Sequence, residues 1–134
     1  MVGKYIMTKD AKPEELNWAR LGWISNPPKT GAEHLTVIEV TLAPYKGPNF
    51  HKHRKQEQVS YVVAGTVEFW INHEKRILGA GDSAVIPTDT VHAFFNIGTT
   101  DAKLVTILGP CDGPIGYELD DMSDVAPWKD IRRG

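Results

Sequence analysis

His51-Lys52-His53-Arg54-Lys55-Gln56-Glu57-Gln58-Val59-Ser60-Tyr61-Val62-Val63-Ala64-Gly65 is the stretch that decides how this chain is read. On a β-strand successive side chains alternate faces, so His51 and His53 point the same way and can converge on one point. A third histidine, His92, closes the later stretch Gly81-Asp82-Ser83-Ala84-Val85-Ile86-Pro87-Thr88-Asp89-Thr90-Val91-His92. Imidazoles that meet inside a barrel need something to bind, because a buried unpartnered ring carries a desolvation cost. A divalent metal is the usual answer, since neutral imidazole suits Zn, Cu, Fe, Ni and Mn.

Together the two stretches resemble the two motifs of the cupin superfamily. The first motif lies at 47–65. The second, at 81–96, reads Gly81-x5-Pro87-x4-His92-x3-Asn96, and fifteen residues, Thr66 to Ala80, separate the two motif glycines. A lone His-x-His is weak evidence, whereas two ordered multi-residue motifs are specific. The resemblance implies an all-β, antiparallel jelly-roll barrel (a double-stranded β-helix), with residues 1–134 as a single cupin domain. It also implies one divalent metal ion (Zn, Mn, Fe or Ni), a small-molecule substrate or ligand, and a homodimer paired through sheet edges and N-terminal strands.

Three positions depart from the family pattern. Tyr45 stands where the family often has Gly six residues before the first His, with Gly47 nearby instead, and Asp89 stands where a Gly tends to lie between the Pro and the second-motif His. Asp tolerates turns with positive φ better than most residues, so the fold survives that change. The third departure bears on chemistry. The family commonly supplies a Glu as fourth ligand, and counting back from Gly65 and Tyr61 that position is Gln58. Glu57 is the alternative, matching the shorter spacing from His53. Adjacent strand residues face opposite sides, so only one of the two reaches a metal without a bulge, and Gln58 is favoured.

A carboxylate cancels one of the two charges of a divalent ion, whereas a neutral amide leaves the full charge to act on bound water and substrate. A site of His51, His53, His92 and Gln58 is thereby weighted toward Lewis-acid isomerase, lyase or cyclase chemistry over dioxygenase chemistry. Substrates with adjacent oxygens suit it: enols, diketones, hydroxy acids, uronates and aromatic polyketides. A non-catalytic module that binds a small ligand or sugar, and a scaffold with a structural metal, stay open beside the enzyme reading. No Gly-rich phosphate loop, G-x-S-x-G nucleophile turn or H-E-x-x-H helix is present.

Alternation also names candidate pocket residues. With His92 inward, Phe94 and Asn96 share its face, and with Gln58 inward so do Ser60 and Val62. Tyr61 and Phe95 then face the other sheet or a partner. Trp18, Trp23 and Trp70 read as packing anchors, and Trp128 as the residue that docks the C-terminal tail. His73 falls in a hairpin turn and is expected to be exposed. His34 is a possible proton relay at a pocket rim, although a solvated strand start is the plainer reading.

Bulk properties fit this picture. A chain of 134 residues can bury roughly two thirds of its unfolded surface without disulfides, and Cys111 is the only cysteine. The charged fraction is 24% and the net charge −2, which argues against a general nucleic-acid or anionic-membrane binder. No apolar run approaches the length of a membrane helix. With neither a signal-peptide pattern nor paired cysteines, a cytoplasmic location is expected. Lys46, Lys52, Arg54 and Lys55 flank the first motif, and the acidic run Glu118, Asp120, Asp121 and Asp124 reads as solvated tail surface. Turn formers bound expected strands at Ala19 to Ile24, His34 to Leu42, Gln58 to Ala64, Thr66 to Ile71, Arg76 to Leu78, Ser83 to Ile86, Ala93 to Asn96 and Lys103 to Leu108. A helical turn is expected at Pro13 to Trp18.

Overall fold

Residues 2–131 are described by a computed structural model of the chain. Two antiparallel sheets face each other in a jelly roll. The larger holds six strands in the order β1 (Glu14–Glu15), β2 (Arg20–Ser25), β3 (Thr36–Leu42), β10 (Ala102–Gly109), β5 (Glu57–Ala64) and β8 (Ser83–Ile86). The smaller orders β11 (Asp120–Asp121), β4 (His51–Lys52), β9 (His92–Asn96), β6 (Val67–Ile71) and β7 (Glu74–Leu78).

Period-two patterning sets which face of each strand is buried. In β3, Thr36, Ile38, Val40 and Leu42 are buried while the residues between them are half exposed, and β10 repeats this with Ala102, Leu104, Thr106 and Leu108. These inward rows meet Phe69 and Phe94 of the smaller sheet in the main core, where the two rings stack with centroids 5.4 Å apart. Strand β9 breaks the alternation, since all five of its residues are buried. Its outer face, Ala93 and Phe95, is covered by a second cluster containing Phe50 and Val91, against which Trp70, Met122, Trp128 and Ile131 pack. Phe95 is therefore roofed by the chain's own tail. Trp128 fastens that tail by donating its indole N–H to the Asn72 carbonyl at 3.0 Å and stacking on His73, whose ring is otherwise exposed.

Two local expectations need correction. The expected helical turn at Pro13 to Trp18 is instead the edge strand β1, in register with β2 through Glu14↔Leu21 and Glu15↔Arg20, with Glu15 bonded to Arg20 across the pair. Tertiary pairing overrides a short helical preference. The α-helix of the described residues lies at α1 (Pro27–Thr30), between the strands expected at Ala19 to Ile24 and His34 to Leu42. Its signals were in the sequence: Asn26 caps it by accepting from the Lys29 N–H, prolines fill the first positions, and Gly31 ends it at φ 76°. His34 precedes β3 and is fully exposed beside Glu33, away from any cavity wall.

Candidate metal centre

Strands β4 and β9 pair so that His51 lies directly opposite His92. His53 follows one pleat later on the same face as His51. The three rings cluster with centroid separations of 4.4, 5.0 and 5.3 Å, and all three are buried. One nitrogen from each lies within 4.8 Å of the others.

Backbone carbonyls fix which nitrogen that is. Nδ1 of His51 donates to the Asn49 carbonyl at 2.7 Å, Nδ1 of His53 to the Glu118 carbonyl at 2.7 Å, and Nδ1 of His92 to the Thr90 carbonyl at 2.9 Å. A carbonyl can only accept, so each Nδ1 carries the hydrogen and each Nε2 keeps a lone pair. His92 Nε2 is buried with no hydrogen-bond partner. Such orientation of the far nitrogen by a carbonyl is the usual support of a metal-bound imidazole.

The strand pleat separates Glu57 from Gln58. Glu57 is exposed, whereas Gln58 is 2% exposed and lines the same cavity as His51 and His53. Its amide Nε2 donates to Ser60 Oγ at 3.0 Å, and Ser60 shares a hydrogen bond with Thr106 Oγ1 at 3.1 Å. That relay engages one of the amide's two N–H groups, while Gln58 Oε1 is buried without a hydrogen-bond partner beside the His53 ring. Three clustered lone-pair nitrogens, with a neutral amide oxygen on the cavity wall beside His53, are candidate donors of the type a divalent cation takes.

Electrostatics keep the set unprotonated. Burial, and second the neighbouring His53, lower the His51 pKa to about 4. Burial and the nearby His51 put His92 well below the ordinary imidazole value, and burial lowers His53, partly offset by the Glu118 carbonyl. All three rings are neutral at pH 7 and ready to donate electron pairs.

A cavity of about 650 Å³ opens beside the imidazoles. Phe94 lines it, as read from alternation. Ser60 and Asn96 do not: Ser60 sits behind Gln58 in the hydroxyl relay, and Asn96 spends its side chain on the Leu42 and Thr100 carbonyls and the Gly98 N–H. Sequence reasoning missed Tyr117, whose ring lies 5.8 Å from His53 and 5.8 Å from Trp23, and it favoured packing over a substrate-platform role for Trp18. Trp18 packs edge-on against Phe94 and also forms cavity wall. The acidic tail segment is part of the site: Asp120 and Asp121 form β11 against Lys52 and His51, Arg54 bonds Asp120, and Glu118 supplies the carbonyl that orients His53.

The family model for the Cupin domain matches residues 38–108, more than half of the chain and inclusive of all four candidate donors. The chain belongs to the cupin family. Among relatives of this cupin, the pectin degradation protein KdgF of Dickeya dadantii (strain 3937) is 32% identical over 85 residues, covering 63% of this chain and 77% of that protein. The polyketide synthase CurC of Streptomyces cyaneus is 27% identical over 107 residues, covering 80% and 70%. The solved structure of the polyketide cyclase RemF from Streptomyces resistomycificus matches the fold with a TM-score of 0.74 at 18% identity, covering 96% of this chain and 92% of that one.

The two positions where this cupin lacks a family-like glycine both adopt left-handed backbone. Tyr45 has φ 67° and Asp89 has φ 62°. Asp89 suits the conformation and anchors the site, giving its N–H to the His53 carbonyl at 2.9 Å and pairing with Lys52 at 3.0 Å. Tyr45 holds it at the cavity rim, with its N–H bonded to the Asn96 carbonyl at 2.8 Å.

Proposed function

We propose that this cupin holds one divalent cation (Zn, Mn, Fe or Ni) on His51 Nε2, His53 Nε2, His92 Nε2 and Gln58 Oε1, and is an enzyme that isomerises, eliminates from or cyclises a small oxygen-rich molecule. One observation carries the reading: three Nδ1–H groups are tied to carbonyls while His92 Nε2 and Gln58 Oε1 are left buried and unsatisfied. Unsatisfied buried polar atoms cost about 1–3 kcal/mol each, so their retention argues for a ligand that satisfies them.

When bound, such an ion supplies Lewis acidity toward oxygens of a chelating substrate, undiminished by any carboxylate in the donor set. The chain's own residues do the rest. Phe94, Trp18 and the aliphatic wall exclude water from the substrate's carbon skeleton. Tyr117 stays protonated, its pKa raised by burial and by Glu14, and offers a hydroxyl donor within the cavity. Relatives named for pectin degradation and polyketide synthesis are compatible with small oxygenated substrates.

Elemental analysis of protein purified without added metal, followed by chelation and readdition during an assay on enolic substrates, tests the proposal. One equivalent of ion and a turnover that chelation abolishes support it. Metal-free protein that takes up none of the four ions overturns it, and robust oxygen uptake by the Fe(II) form replaces Lewis-acid chemistry with oxygen activation.

A further inference from the structure

The walls of the cavity say more about the ligand than the donors do. Around the imidazole pole stand Trp18, Leu21, Ile38, Val40, Phe94 and Leu108, an apolar surface contributed by both sheets. Charged side chains enter the lining only at Lys46 and Asp121, both exposed, and Asp121 is engaged by Asn49 and Ser123. Beyond these two, Asp112 near His53 and Glu14 near Tyr117 add negative charge around cavity groups. No arginine lines the cavity among the described residues.

Such a surface is poor for an acidic sugar or a small dicarboxylate. A uronate would lay hydroxyls against leucine, isoleucine and phenylalanine that leave them unpaired, and only the exposed Lys46, among the described residues of the lining, is a cationic side chain that could meet its carboxylate. A two-carbon diacid would fill only a small part of about 650 Å³, a size suited to a drug-sized ligand. A flat, uncharged ring system gains from every apolar wall, the aromatic lining residues Trp18, Phe94 and Tyr117 included. None of the described hydrogen bonds uses the Tyr117 hydroxyl, so it can serve one polar substituent of the ligand.

We infer that the ligand of this site is a fused-ring aromatic or enolic polyketone bearing adjacent hydroxyl and keto oxygens at one edge, seated with that edge toward His51, His53, His92 and Gln58 and its rings against Trp18 and Phe94. The inference rests on the cation reading above and narrows it from oxygen-rich molecules in general to a flat apolar chelator.

Zinc-loaded protein titrated with 1,2-dihydroxyanthraquinone, catechol and galacturonate, with metal content measured on the same samples, tests it. The fused-ring diol is expected to bind at least ~10-fold tighter than catechol through its extra buried rings, with galacturonate weakest. Trp18→Ala should lower affinity for the fused-ring diol by ~10-fold with metal content intact. Leu119→Lys, at a half-exposed position of the wall, should erode the preference for the fused-ring diol over galacturonate. Equal binding of catechol and the fused-ring diol by metal-loaded protein, or tighter binding of galacturonate, overturns this inference and leaves the cation reading standing. Protein that takes up no zinc removes both.

Discussion

His51 and His92 stand directly opposite each other where β4 meets β9, their rings 4.4 Å apart, and this single paired position joins the two motifs into one site. Because β4 is only two residues long, its place is set by this pairing and by β11 on its other side. The imidazoles are therefore held by the sheet ladder as well as by any ion they bind.

Removing one of the three nitrogens should be costly to metal binding. His92→Ala is expected to weaken divalent-ion affinity by more than the ~100-fold that loss of a supporting hydrogen bond can cause. Competition against a chromophoric chelator measures it, and affinity within ~3-fold of the parent would mean that His92 holds no metal.

The pleat of β5 makes a paired prediction. Gln58→Ala should lose metal affinity, by roughly 10-fold or more, while Glu57→Ala, altering an exposed side chain, should leave it unchanged. Gln58→Glu should retain the ion and soften its Lewis acidity by adding a negative charge. The reverse outcome at positions 57 and 58 in equilibrium dialysis would transfer the fourth donor to Glu57.

Acid should destabilise the metal-free protein. His51 has a folded pKa of about 4 against 6.5 unfolded, so between these values the unfolded chain binds more protons. Stability is then fully present above pH 6.5 and falls as pH drops toward 4, by on the order of 3 kcal/mol from this group, with His53 and His92 acting in the same direction. Urea denaturation of chelator-stripped protein from pH 7 to 4 reads this out. A flat profile would contradict the burial of neutral imidazoles.

Backbone geometry predicts opposite effects two residues apart. Tyr45→Gly should relieve a left-handed conformation, a backbone gain of up to about 1 kcal/mol set against the loss of the side chain's own interactions. Gly47→Ala should lower it by about 3 kcal/mol, because a Cβ there would collide with the Phe94 carbonyl and crowd the Phe95 ring. Thermal melts of the two variants compare them directly.

Much of the candidate site was legible because its candidate donors obey strand alternation. His51 and His53 announce themselves by spacing, and the same rule puts Gln58 inward and Glu57 outward. What supports them was invisible, since the carbonyls of Asn49, Glu118 and Thr90 belong to the backbone and say nothing in side-chain letters. Tyr117 and the β11 segment were missed because residues far along the chain reach the site through tertiary pairing, and an acidic run reads as solvent-facing until that pairing is known. In β9, alternation fails as a guide to exposure because the tail covers the outer face. Asn96 shares the inward face with His92, yet its amide closes the turns beside Leu42 and Thr100 instead of meeting the cavity.

Anomalous diffraction at the absorption edge of the ion found by elemental analysis tests the central claim most directly. The account predicts one strong peak within bonding distance, about 2.0–2.2 Å, of His51 Nε2, His53 Nε2 and His92 Nε2, with Gln58 Oε1 as the remaining protein donor. A peak elsewhere, or metal-loaded crystals with no peak among these imidazoles, would contradict it.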